Sequence, residues 1–281
     1  MERTLKKYFP LFVLPTSVAF VIAFLAPFVI GLYLSFAEFT TITDAEFVGL
    51  KNYARAVDPK DNFLNSFSFT LLVVIASVIT VNLFAFGIAK LLTQKLRGTN
   101  VFRTIFFMPN LIGGIVLGYT WQSIINAILS NYGTTLVANW QYGYVALVVL
   151  VNWQQVGYMM VIYIAGLQNV PPELTEAAEI DGAGRWQVLR NVTIPMIMPT
   201  ITICLFLTLS GAFKMFDQNL ALTDGAPLDK TQMVALNIFK TMFSQIGREG
   251  VGQAKAVLFV IVVVVIALLQ LRATRSREVE A

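Results

Sequence analysis

Two groups of residues in this sequence have types and spacing suited to chemistry, and in neither is the chemistry catalytic. The first is uncharged: Asn110, Tyr119, Trp121 and Gln122, then Asn152, Trp153, Gln154, Gln155 and Tyr158. Amides and flat aromatic faces are what a neutral, hydroxyl-rich solute needs. Asn152 and Gln155 are three apart, and Gln154 and Tyr158 four apart, so on a helix each pair shares a face. The same amides could instead bond neighbouring helices, and the Trp and Tyr could mark an interface with lipid headgroups. The second group is ionic. Glu173, Glu176, Glu179 and Asp181, with Arg185 and Arg190, form a charged island after 69 residues, Thr104 to Pro172, that contain no Asp, Glu, Lys or Arg. Such an island faces water and is suited to docking another protein.

Groups for bond-making are missing. There is no histidine, hence no imidazole for general-base work or metal ligation. The lone cysteine, Cys204, can form neither an intrachain disulfide nor a Cys-based metal site. A phosphate-binding G-x4-G-K-S/T loop is also missing. The chain is therefore expected to be no enzyme, to bind no metal and to carry no cofactor.

The elements that position both groups are apolar helices. The sequence is 57% hydrophobic and 13% charged, about half the charge of a soluble domain. A membrane helix needs about 20 apolar residues. Six segments qualify: 11–36, 67–89, 105–128, 145–167, 194–213 and 257–271. The first is too long for a cleaved signal peptide and carries Pro15 and Pro27, which would kink it. The expectation is an all-α membrane protein of six spans, residues 1–281 forming a single domain in a lipid bilayer.

Loop bases orient it. With the N-terminus inside, the inner segments carry twelve: Arg3, Lys6, Lys7, Lys90, Lys95, Arg97, Arg103, Arg185, Arg190, Arg272, Arg275 and Arg277. The outer segments carry eight bases beside nine acids. Both termini and the charged island are thus expected in the cytoplasm. The net charge of +4 belongs to this topology and implies no nucleic-acid partner. The spans also lack the intramembrane carboxylates or His of ion-coupled carriers. Active transport would draw its energy from another polypeptide.

Residues 171–194 read as an elbow. Pro171 and Pro172 end one helix and suit the first turn of the next. Glu173 and Glu176 favour that helix's N-terminal dipole. Gly182 and Gly184 permit a sharp turn. Trp186, Leu189 and Val192 then recur at three-residue spacing, and Pro195 and Pro199 mark the return to the membrane. An ordinary surface loop would be basic towards anionic headgroups, whereas this one is acidic at its start.

The same residues resemble the EAA-x3-G-x9-I-x-L-P pattern of permease subunits of binding-protein-dependent ATP-binding-cassette importers. Here it is Glu176-Ala177-Ala178, Gly182, then Val192-x-Ile194-Pro195, with two conservative departures. Phe47-Val48-Gly49-Leu50-Lys51-Asn52-Tyr53, Ile180-Asp181-Gly182-Ala183 and Leu222-Thr223-Asp224-Gly225-Ala226-Pro227 resemble segments of the carbohydrate-uptake members, the last with Ala226 in place of Gly. The overall look is closest to multiple-sugar and raffinose or melibiose permeases. The resemblance implies the type I importer permease fold in a bacterial cytoplasmic membrane. Its implied partners are a second homologous permease, two cytoplasmic ATPase subunits that bind ATP and Mg, and an extracytoplasmic sugar-binding protein. It further implies that Glu176 pairs with a basic ATPase residue, that Ala177 and Ala178 permit close packing, that Asp181 and Gly182 form the turn, and that Trp186 and Leu189 brace the elbow. The alternatives are a permease for another solute such as glycerol phosphate, or an ATP-independent channel or secondary transporter.

Overall fold

The computed structural model describes residues 13–94 and 97–276. The expected start of the first span at Leu11, and the bases Arg3, Lys6, Lys7, Lys95 and Arg277, lie outside the described residues. Contacts divide the chain into two compact units: Met1–Phe63 with Ile238–Val260, and Leu64–Asn237 with Ile261–Ala281.

Four unbroken helices are long and apolar enough to cross a membrane: α1 (Val13–Leu34), α3 (Phe63–Leu92), α6 (Trp140–Gln168) and α12 (Glu249–Arg275). The short α2 (Lys51–Ala56) lies between the first two. A π-turn at Val21–Leu25 in α1 precedes Pro27, where Ala26 N–H reaches back to the Val21 carbonyl. The wide turn makes room for a ring that would otherwise strike the carbonyl four residues earlier.

Two expected spans are not straight. The third, expected unbroken over 105–128, is α4 (Thr99–Phe107) and α5 (Gly114–Ser130). A 3₁₀ turn at Met108–Leu111 joins them at a bend of 100°. Pro109 removes a helical donor, and Ile112 and Gly113 are extended (ψ 131° and 141°), so the ladder stops. The fifth is α8 (Arg185–Met196) followed by α9 (Met198–Phe213), bent by 72°. Pro195 and Pro199 flank that bend. Counting each bent pair as one span gives up to six. The remaining helices are α7 (Pro172–Ile180), α10 (Asp217–Leu222) and α11 (Val234–Phe243).

The larger unit is built around α6. Leu147, Leu150, Val151 and Met160 of α6 are buried with Val73, Val81 and Ala85 of α3 and Cys204 of α9. A polar thread runs through this core. Tyr163 donates to Asn82 Oδ1 at 2.8 Å, and Asn82 Nδ2 donates to the Val78 carbonyl and, at 3.3 Å, to Thr208 Oγ1. It ties α3, α6 and α9 together without a charge. Such bonds hold apolar helices in register where the hydrophobic effect cannot.

In the smaller unit a two-residue hairpin pairs Ala37 with Phe47 and Glu38 with Glu46. Buried Asn52 donates to the carbonyls of Ser35 and Ala37, and Tyr53 shares a hydrogen bond with Ser35. The Phe47–Tyr53 segment thus has a folding role: it closes the chain that leaves α1. Asp61, almost fully buried, pairs with Arg248 at 2.6 Å. The equally buried Lys255 donates to Thr241 at 2.8 Å.

Candidate functional site

The charged island folds as an elbow. Pro171 is extended, Pro172 opens α7, and Glu173 lies in its first turn. At the other end Ala183 N–H bonds the Ala178 carbonyl, and Gly182 N–H bonds that of Glu179. These two bonds are a Schellman motif, which requires a left-handed residue between them. Gly182 takes φ +84°, and a Cβ added there would meet nothing within 4 Å. The demand at this position is therefore conformational and not one of space. Gly184 N–H then donates to Gln187 Oε1 at 2.7 Å, satisfying a donor at the start of α8.

The elbow is seated by Val188 and Leu189, both buried, while Val192 is half-buried. Trp186 lies on the open side of α8. It is 68% exposed. A π-turn at Leu189–Thr193, ahead of Pro195, adds a residue to the turn and moves Val192 out of its three-residue spacing from Leu189. Glu176, Ala177, Glu179, Asp181 and Gly182 are exposed and Ala178 is partly so. Ile180 is 85% exposed. The elbow thus offers carboxylates together with two large apolar side chains, Ile180 and Trp186. A basic groove with apolar sockets would complement it.

The uncharged set separates into two groups. Three amides are committed to the chain itself. Gln154, buried, donates to the Ile112 carbonyl at 3.2 Å and accepts from Gln218 at 2.9 Å. Gln122 donates to the Leu222 carbonyl at 3.0 Å. Asn152 Nδ2 donates to Thr80 Oγ1 and the Val148 carbonyl, both at 2.8 Å. For these the helix-bonding role holds. The others are more open: Tyr119 is 55% exposed, Trp153 45% and Tyr158 36%, with Asn110 and Gln155 half-buried. Trp121 and Trp153 meet edge to face, 5.7 Å between centroids. Trp153 and Asn152 also border a cavity of about 300 Å³ against Phe84, Ile88, Phe106 and Pro109. Asn152 Oδ1 is buried there without a hydrogen-bond partner.

Gln218, which orients Gln154, was not expected from sequence. It stands on α10, which packs along α5. A Cβ on Gly114 would come within 2.7 Å of Asp217 Cβ, and one on Gly118 within 2.5 Å of Ala221 Cβ. The signal was present: Gly114 and Gly118 make the small-x3-small spacing that lets apolar helices approach closely. Among the described residues no group of three or more Cys, Asp and Glu side chains is placed to hold a metal ion.

Residues 97–277 match the profile of a family described as "binding-protein-dependent transport system inner membrane component". The chain is 42% identical, over 96% of its length and 94% of the relative's, to a probable starch degradation products transport system permease of Thermoanaerobacterium thermosulfurigenes. It is 27% identical, over 99% of both chains, to a multiple sugar-binding transport system permease of Streptococcus mutans. Among solved structures it resembles a chain of a bacterial ABC transporter involved in the import of alginate. There the TM-score is 0.81 at 21% identity, with 98% of both chains covered.

Proposed function

This chain belongs to the family of inner-membrane components of binding-protein-dependent transport systems, and we propose that it forms part of the pore of an ATP-driven importer for neutral oligosaccharides. It is a multi-pass membrane protein and a permease for sugar uptake. In our reading each bent helix pair makes one span, giving six, the whole chain acts as one permease domain, and both termini lie in the cytoplasm of a bacterial cell. A second permease completes the pore, and an extracytoplasmic sugar-binding protein delivers the cargo. Two cytoplasmic ATPase subunits bind ATP and Mg and do the hydrolysis. The alginate ABC transporter is known in complex with a periplasmic protein that holds an alginate pentasaccharide.

The observation that carries the coupling assignment is the elbow: an acidic, apolar-tipped turn seated on the permease core by Val188 and Leu189. In the ATPase groove Glu176 meets a basic side chain. Ala177 and Ala178 leave room for close approach, and Asp181 and Gly182 make the turn. Ile180 and Trp186 fill apolar sockets, so Trp186 acts outward and Leu189 inward. Closure of the ATPase dimer on ATP then moves both elbows and opens the pore outward.

The neutral-cargo assignment rests on the uncharged residues 104–172 and on the relative's starch-derived substrates, which point to glucose oligomers. Gln155 and Tyr158, with Asn110, Tyr119, Trp121 and Trp153, supply amides and rings along the path. Gln122, Asn152 and Gln154 hold its walls. Proteoliposomes containing the full complex should take up labelled maltotriose only with ATP inside and binding protein outside. Uptake without ATP, or preference for an anionic cargo, would overturn the proposal.

A further inference from the structure

The connection from α3 to α4 holds bases without acids. Residues 62–172 carry four bases, Lys90, Lys95, Arg97 and Arg103, and no Asp or Glu. Among the described residues Lys90, Arg97 and Arg103 form no ion pair. Arg103 is half-buried on α4, and its Nε is buried without a hydrogen-bond partner. A guanidinium N–H withheld both from water and from an acceptor is costly. A phosphate relieves that cost, because its oxygens match the planar fork.

Apolar groups stand beside these bases. Val101, Phe102 and Ile105 of α4 are exposed. Ile105, just beyond Arg103, borders the cavity of about 300 Å³, and so does Ile88, just before Lys90. From Ile88 to Lys90, and from Ile105 back to Arg103, both helices run towards the loop that joins them. Lys90 and Arg103 therefore flank the same end of the cavity, whose mouth is formed by the exposed Phe84, Ile105 and Phe106. The wall is fixed: a Cβ on Gly157 of α6 would collide with the Phe106 carbonyl, and the rings of Phe107 and Tyr158 lie 6.4 Å apart. Thr80 bonds Asn152 near the middle of α6. Lys90 lies about 15 Å of helix beyond Thr80, half of a hydrocarbon core of about 30 Å. The bases thus stand at headgroup depth and the cavity at acyl-chain depth.

We propose that these residues form an inner-leaflet site for an anionic phospholipid, with its phosphate on Arg103, Lys90 and Arg97 and one acyl chain in the mouth of the cavity. The inner placement rests on the permease reading and its orientation. A free phosphate would satisfy the bases alone. A cytoplasmic ATPase surface would meet the bases and leave the apolar mouth open. A single molecule with an anionic head and an apolar tail fits both, and it pins α4 against α6, the helix bearing Gln155 and Tyr158.

The test uses the assembled transporter in nanodiscs of phosphatidylglycerol diluted in phosphatidylcholine. Phosphatidylglycerol with a diazirine in its acyl chain should crosslink to peptides holding Ile88 and Phe106, and soluble glycerol phosphate should not compete. Lys90→Gln with Arg97→Gln, and separately Arg103→Gln, should each need about tenfold more phosphatidylglycerol for half-maximal crosslinking. In pure phosphatidylcholine Arg103→Gln should melt no lower than the wild type, and only the wild type should gain melting temperature as phosphatidylglycerol is added. Unchanged crosslinking in these variants, equal crosslinking from a phosphatidylcholine analogue, competition by glycerol phosphate, or label on the ATPase alone would overturn the site. Arg97→Cys reports the orientation, since the one native cysteine is buried. A membrane-impermeant maleimide should label it only in inside-out vesicles. Labelling from the outer face would overturn the orientation beneath the proposal, whereas inner labelling with unchanged crosslinking would overturn the lipid site alone.

Discussion

Replacing Gly182 should uncouple ATP hydrolysis from transport in a graded order that its backbone angle sets in advance. Gly182 sits at φ +84° with open space around it. Added side chains therefore meet strain and no collision. Asparagine, which tolerates the left-handed region, should act almost as glycine does. Alanine raises the energy of the turn by about 1–2 kcal/mol, enough to shift its population roughly 5–30-fold. Proline is incompatible. Its φ is locked near −65°, and it deletes the donor that bonds the Glu179 carbonyl at 3.0 Å. It also disfavours the non-extended setting of Asp181, at φ −72° and ψ 3°. Together these exceed about 3 kcal/mol, more than a hundredfold. The core does not depend on this turn, so the protein should still insert. The assay is ATP hydrolysed per sugar imported in proteoliposomes, with membrane insertion checked by protease protection. Coupling should fall in the order glycine, asparagine, alanine, proline. Normal coupling in Gly182→Pro would refute the reasoning, and asparagine as harmful as proline would show that side-chain contact decides there.

The elbow's exposed groups give two further expectations. Glu176→Lys should abolish coupled uptake, and a charge reversal at the facing ATPase residue should restore it. Trp186→Ala should weaken ATPase co-purification at least tenfold with little change in melting temperature, since its ring is 68% exposed. Along the path, Gln155→Ala or Trp153→Ala should alter the KM or range of sugars. Gln154→Ala should instead lower thermal stability by about 1–3 kcal/mol, because the Ile112 carbonyl and Gln218 lose their partner; unfolding in detergent distinguishes the two. Gly118→Leu should prevent α10 from docking on α5, read as loss of folded protein by fluorescence-detected size exclusion.

Much of this was legible in sequence wherever one residue type forces one conformation. Pro171, Pro172 and Gly182 bounded α7 and its turn because proline and glycine act locally. The long apolar runs located α1, α3, α6 and α12 because no other structure hides their backbone in lipid. Features set by tertiary packing stayed hidden. The break at 108–113 has a local mark in Pro109, but the sharp change of direction there is not registered by hydropathy. The π-turn at Leu189–Thr193 moves Val192 relative to Leu189 without changing composition. Gln122, Asn152 and Gln154 read the same as Gln155 until their partners, the Leu222 carbonyl, Thr80 and Gln218, are placed.

The two sites meet through α6. Its last helical residue, Gln168, lies four positions before Pro172, so the elbow joins the helix bearing Gln155 and Tyr158 to α8 and α9. On the other side Val188 and Leu189 seat it in the core. In the proposed importer a displacement at Glu176 or Trp186 would reach α6 and α9 together. These two helices are in contact, and both are tied to α3 through Tyr163, Asn82 and Thr208. An uncharged lining suits such a device: a fixed charge would need a partner in both positions of the pore, whereas amides and rings can exchange partners at lower cost. In the proposed importer this arrangement separates an ionic elbow, where the energy source would act, from an uncharged path for the sugar.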